Sequence, residues 1–389
     1  VLRARSVGGA AGVSRAAGLA AAVGALVLAG GVAAGVERAW AAWLVASLGV
    51  LTAGLAGLVF VAIQYASSAS WGVAFRRVPE ALTAAIPVGA AALLALVVFA
   101  PHGWSWTRGL PAHEPALAGF KQAWLSWPFF AGRAVAYVLI WLAFARAIVG
   151  HSRRQDEDGA PSHSARNTRL SIAFIVAFAV SFSLASFDWI MSLEPEWYST
   201  IFGIYNFAGL FSSGLAAIIL LVVWLRRGPL AGVVTDEHLH DLGKLLFAFS
   251  TFWMYIWFSQ YMLIWYANLP EETTYYLART TGAYELLFVV NMVLNWLVPF
   301  LLLLRRGPKR RPELVAKVAV VVLVGRWLDL YMMVVPTFAT AGPPFGVWEA
   351  AGVVAMAGAT VWAVLRGLAA TSLVPARDPR LGESLHYHA

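Results

Sequence analysis

Apolar residues in this chain come in ten runs, at 16–35, 40–63, 82–100, 128–149, 170–187, 201–225, 244–268, 282–304, 315–335 and 347–368. Each is close to the ~20 residues that an α-helix needs to cross a hydrocarbon layer. No water is available at that depth, so every backbone amide must find its partner within the segment. Runs of this length do so as helices rather than as barrel strands. The expected fold class is therefore all-α, a polytopic membrane protein of about ten transmembrane helices. Composition agrees: 60% of residues are hydrophobic and 12% charged, against roughly 25% charged in soluble domains. The 18 Trp suit a chain with two membrane interfaces to line.

A formal net charge of +8 would suggest nucleic acid in a soluble protein, but the basic residues here fall between apolar runs and act as a topology signal. Ten spans place both ends on one side. The loops on that side carry 19 of the 28 Lys and Arg and the opposite loops carry four, Arg38, Arg108, Lys121 and Arg279. The chain is thus expected to be multi-pass with N- and C-termini cytoplasmic. Arg3, Arg5 and Arg15 precede an apolar run as in a signal peptide, but the run is long enough to span and no cleavage site follows, so a retained first helix is expected. The expected organisation is an N-terminal segment (1–15), four helices (16–149), a flexible cytoplasmic linker (150–169), six helices (170–368) and a cytoplasmic tail (369–389). The opposite loops, 101–127, 188–200 and 269–281, are rich in Trp, Tyr, Pro and carboxylates. They suit either an interfacial aromatic belt or a surface covered by a partner.

The absence of cysteine excludes protein-ligated iron–sulfur clusters, CxxCH-attached haem and disulfides. The eight histidines all lie outside the runs: His102, His113, His151, His163, His238, His240, His386 and His388. Membrane cytochromes need imidazoles within helices, so no metal or haem ligand is expected and the HLH at 238–240 reads as a solvated loop.

Charges at helix depth cost about 2.5–3.5 kcal/mol on insertion scales, so each needs a reason. Arg326 and Asp329 sit three residues apart on the ninth run and can pair across one face; packing and proton movement both explain such a pair. On the seventh run Lys244, Thr251, Tyr255, Ser259 and Tyr266 draw one polar stripe. Asn291 and Asn295 with Tyr284 draw another on the eighth, with Glu285 near its outer end, and Ser181 and Asp188 share a face on the fifth. Aligned toward one interior, these could hold water and pass protons; as interhelical glue they are worth about 0.6 kcal/mol each. Asp188, Glu194, Glu196, Glu271 and Glu272 gather at helix ends, where a half-buried carboxylate suits proton exchange and a solvated one needs no role.

Four stretches carry a family resemblance: QYASSASWGVAFRRVPEAL (64–82), SFDWIMSLEPEWYSTIFGIYNFAG (186–209), GKLLFAFSTFWMYIWFSQYMLIWYANLPEETTYYLART (243–280) and DPRLGESLHYH (378–388). They resemble the membrane subunits of alternative complex III, a quinol:electron-acceptor oxidoreductase, and are more similar to the ActF-like subunit than to its ActC-like homologue. The resemblance implies the NrfD-like fold of polysulfide-reductase membrane subunits, a pair of four-helix bundles plus extra helices. It implies a location in the bacterial inner membrane, no cofactor on this chain, menaquinol or ubiquinol as substrate of the assembly, and periplasmic partners carrying iron–sulfur clusters and multihaem cytochrome c. The ActC-like subunit, other small membrane subunits and lipid complete the expected partners, with no nucleic acid. In the matched segments it places Asp188, Glu194, Glu196, Tyr255, Gln260, Tyr266, Glu271, Glu272 and Arg279. Arg326 and Asp329 lie outside them. The expected function is a cofactor-free subunit that anchors the complex and lines a proton route through Asp188, Glu194, Glu196, Lys244, Tyr255, Tyr266, Glu285, Arg326 and Asp329. The alternatives are a quinol-binding subunit using Asp188, Trp189, Gln260 and Glu271, a secondary transporter, and a structural scaffold.

Overall fold

The computed structural model describes residues 10–109 and 115–388; Arg3, Arg5 and His113 lie outside them. Among the described residues there is no strand, and the helices in chain order are α1 (Ala10–Ala33), α2 (Glu37–Ala66), α3 (Arg77–Leu82), α4 (Ala85–Phe99), α5 (Pro115–Trp124), α6 (Trp127–Asp158), α7 (Ser162–Trp189), α8 (Phe202–Arg226), α9 (Asp236–Ala267), α10 (Pro270–Thr280), α11 (Glu285–Met292), α12 (Val298–Leu303), α13 (Arg306–Lys309), α14 (Pro312–Val334), α15 (Val347–Ala369) and α16 (Leu381–Leu385). The chain is therefore an all-helical, apolar, multi-helix protein of the membrane type. Prolines start several helices, at 115, 128, 270 and 312, where the missing N–H would be unpaired anyway. Left-handed residues stop two of them, Gly159 after α6 and Asn268 after α9.

Among the described residues, nine helical segments are both long and apolar enough to cross a membrane. The tenth expected span, on α9, is not among them. Its 32 residues are long enough, but Trp, Tyr, Ser and Gln dilute its hydropathy. It runs between the same two faces as its neighbours: Asp236 pairs with Arg226 at one end, and Gln260 meets Tyr276 near the other.

One face carries the chain's tail. Asp378 pairs with Arg76, Tyr387 donates to Asp241, and Ser384 accepts from the Ala74 amide at 3.0 Å while donating to the Trp71 carbonyl at 2.8 Å. Arg77 binds Glu80, Asp156 and Ser152 beside it. Two expectations change here. Segment 150–169 is no free linker, because α6 and α7 run through it and leave only residues 159–161 as a turn; polar side chains tie its two helices together, as Gln155 with Ser164 at 2.8 Å and Asp158 with His163 at 2.9 Å. His238 is no solvated loop residue either: it is buried, with Nδ1 2.8 Å from the Thr235 hydroxyl. The opposite face gathers the turn after α1, the aromatic segment before α6, the link between α7 and α8, α10, and the link before α15.

Candidate functional site: buried charges in aromatic shells

The bundle's deepest charges form one network between α7, α8, α9, α11 and α14. Asp329 is 0% exposed and Arg326 is buried beside it. Arg326 donates to Asp329 at 2.7 Å and, through its other terminal nitrogen, to the Asn206 side chain. The Asp329 carboxylate also accepts from the Tyr205 hydroxyl, from the Trp253 indole at 3.3 Å and from the Asn291 amide at 3.2 Å. Asn206 continues the network to Ser186 at 3.0 Å, and Asn295 donates to Asn291 at 2.8 Å. On α8, α11 and α14 these groups lie roughly 5–12 Å inside the helix ends on the side away from the tail.

Local backbone features seat this network. Gly209 on α8 faces the pair, and a Cβ there would overlap the Arg326 guanidinium. Gly325 likewise leaves room for the Asn295 amide, 2.9 Å from where its Cβ would be. Pro299 removes a helix donor and its ring clashes with the carbonyl four residues back; the chain answers with a π-turn over Val293–Leu297, which carries Asn295. Asn295 then donates to the Asn291 backbone carbonyl at 3.0 Å, so the widened turn is tied to the charge network.

A second centre surrounds Asp188. Arg133 grips it bidentately at 2.9 and 2.7 Å, Tyr137 donates at 3.0 Å and the Trp124 indole at 3.0 Å. Each carboxylate oxygen thus accepts two hydrogen bonds. The guanidinium packs under Trp124, 4.0 Å from its ring centroid, and donates to the Trp124 carbonyl at 2.9 Å. This corrects the expected half-buried, water-facing Asp188: it is fully enclosed and its lone pairs are taken.

The third centre leads outward. Arg279 donates to Glu194 at 2.7 Å, to the Met332 and Met333 carbonyls that end α14 at 2.8 and 3.1 Å, and to the Tyr275 carbonyl at 2.8 Å. Burial alone would lower the affinity of this guanidinium for its proton, but Tyr275 and Glu194 reverse that and hold it charged. Glu194 also accepts from Thr337 at 2.9 Å, and its side chain keeps 24% exposure. Tyr275 stacks on Trp197 with centroids 3.9 Å apart, and burial pushes its phenol up to about 12 against the opposing pull of Arg279. Trp197 touches Phe202, and Phe202 touches Tyr205, so aromatic rings join this centre to Asp329.

The expected site residues divide sharply. Arg326, Asp329, Asn291, Asn295, Glu194 and Arg279 come together as described. The stripe on α9 does not face the interior. Tyr255 is 64% and Tyr266 83% exposed, and the buried face of α9 instead presents Ser250, Trp253 and Gln260. Glu196, Glu271 and Glu285 are also exposed, the last because it starts α11 about 100° round from buried Tyr284. Lys244 stands at the tail face, paired with Asp241, at a cavity of about 360 Å³ that reaches inward to Phe211 and Phe249. The quinone set is dispersed. Asp188 is saturated, Gln260 is held by Tyr276 and Ser199 at 2.9 and 3.1 Å, and Trp189 is buried. Neither this cavity nor a larger one of about 670 Å³ is lined by any of the four.

Missed from the sequence were Arg133, Tyr205, Asn206 and Trp253. Arg133 had a signal, being a charge within an apolar run. Among the described residues no group of three or more His, Asp or Glu converges as a metal site. No family model matches this chain and no curated protein is significantly similar to it.

Proposed function

We propose that this chain is a ten-span, cofactor-free membrane subunit of a quinol-oxidising assembly of the alternative complex III kind, ActF-like, with its tail face in the cytoplasm, and that it lines a proton route centred on Asp329. The observation that carries the reading is a carboxylate at helix depth held at once by a guanidinium, a phenol, an indole and an amide. A scaffold gains little from such a site, because a buried ion pair rarely outdoes apolar packing of the same volume.

The route has two halves. From the tail side, Lys244 and Asp241 open onto the cavity that ends at Phe211 and Phe249. Next to these rings in sequence, Ser250 and Ser212 keep buried hydroxyls without a protein hydrogen-bond partner, which a bound water would satisfy. From Asp329 the other half runs through Tyr205 to Tyr275, Arg279 and Glu194, and the step between the two tyrosines needs a water. The edge-to-face contact of Phe211 and Phe249, centroids 4.4 Å apart, is a dry barrier to passive leak. The four segments carrying the resemblance also support the reading, since two of them, 64–82 and 378–388, build most of the tail-face clasp and the other two supply Asp188, Glu194, Trp253 and Arg279. The assembly's electrons travel on partner subunits carrying iron–sulfur clusters and haem c.

The test is Asp329→Asn in the intact assembly. Proton release per electron should fall by at least half while the subunits still co-purify. Unchanged stoichiometry and turnover would remove Asp329 from the route.

A further inference from the structure

Helix α1 touches the bundle unevenly. It lies antiparallel against α15 along most of its length through contacts that only glycine permits: a Cβ on Gly24 would stand 2.6 Å from the Ala351 carbonyl, and one on Gly358 would stand 2.7 Å from the Ala17 carbonyl. Against α2 it closes only beside the turn at Gly35, where Gly31 abuts Ala39. Away from that turn the two helices diverge. The wedge between α1, α2, α4 and α15 is a cavity of about 670 Å³, walled by Ala22, Ala25, Val50, Val88, Ala92 and Met356, with Arg15 at one end.

The wall offers almost no hydrogen bonds. The Ser47 hydroxyl is spent on the Trp43 carbonyl at 2.8 Å, and the Trp43 indole on the Ala92 carbonyl at 2.9 Å. Water needs two or more polar partners and a quinone head needs donors to its carbonyls, so the lining favours a hydrocarbon chain. The end of the wedge is different. Gly18 lies against Trp362, so Arg15 and Arg366, about one turn further along their antiparallel helices, stand level. Arg366 packs over the Trp362 ring at 5.0 Å. Both arginines are exposed, and neither has an acidic partner among the described residues.

We propose that this wedge binds an anionic phospholipid, one acyl chain filling the cavity and the phosphate lying between Arg15 and Arg366. Guanidinium matches phosphate geometry bidentately, and the apolar wall supplies the dispersion contacts that an empty wedge would forfeit. The lipid completes the packing of α1, whose inner side the protein alone leaves open.

Native mass spectrometry of the full chain in mild detergent tests this, with phosphatidylglycerol and phosphatidylcholine of identical chains as probes. Wild type should retain phosphatidylglycerol at least tenfold more tightly than phosphatidylcholine. Arg15→Gln with Arg366→Gln should erase that preference while still taking up both lipids weakly, and Ala359→Phe, which fills the wedge, should lose both. Thermal melts in lipid-free detergent establish that each variant is folded, and Arg15→Gln alone, at an exposed position, serves if the double variant is not. Equal retention of the two lipids by wild type, an undiminished preference in the arginine variants, or an isoprenoid quinone bound in place of lipid would overturn the proposal.

Discussion

At the scale of single residues, charge pairing and close approach decide which positions tolerate change. Removing Arg133 leaves Asp188 enclosed without its counter-charge, so Arg133→Ala should destabilise the chain by about 3–5 kcal/mol. A detergent melt will read this as a large drop in Tm, partly restored when Asp188→Asn is added. Gly209→Ala forces a methyl against the Arg326 guanidinium and should cost about 1–3 kcal/mol, while Gly307→Ala, facing open space, should cost little. Tyr275 gives a pH dependence of known sign. Its phenol is raised from 10.0 to about 12 in the folded chain, so its stabilising share is complete below pH 10 and is lost as pH rises toward 12. The Tm advantage of wild type over Tyr275→Phe should stay level from pH 7 to 10 and shrink above it. An advantage that grows with alkalinity would refute the assignment.

At the scale of elements, the direction in which a helix face points matters more than what it carries. The polar stripe of α9 faces away from the bundle, so Tyr255→Phe and Tyr266→Phe should each change the stability of the isolated chain by less than about 0.5 kcal/mol. Trp253→Phe, on the opposite face and bonded to Asp329, should cost distinctly more. The π-turn before Pro299 is the other telling element. Its widened backbone aims Asn295 at Asn291, and Pro299→Ala, which restores a helix donor, should reduce proton coupling without lowering Tm. Had the sequence been read for Pro299 two turns after Asn291, the break in helical register was there to find; that the register change falls at the charge network was not.

At the scale of the whole molecule, a tenth crossing beside the nine apolar ones rests on α9 alone. The chain has no cysteine, so single cysteines report topology without background. Under ten crossings Gly228→Cys and Gly307→Cys lie on one side, reached by an impermeant maleimide only after lysis, whereas Tyr198→Cys and Thr281→Cys react in intact spheroplasts. If α9 did not cross, Gly228→Cys and Gly307→Cys would label from opposite sides.

Apolar run length, the distribution of Lys and Arg, and the lack of cysteine are local or additive properties, and they determined the helical membrane class and the expected orientation from sequence alone. The pairing of Arg326 with Asp329 was equally legible, because three residues along one helix are neighbours whatever surrounds it. Tertiary structure decided the rest. Periodicity tells which side chains share a face but not where that face turns, so Tyr255, Tyr266 and Glu285, candidates for a proton route by spacing, are exposed once the helices pack. It also cannot choose partners across distant helices: Arg133 finds Asp188, and Tyr205, Asn206 and Trp253 find the Arg326–Asp329 pair, only because α6 packs on α7 and α8 and α9 pack beside α14. A charge buried in a bilayer must be met by whichever groups the fold brings within hydrogen-bond reach, and that set is fixed by helix packing, not by spacing along the chain.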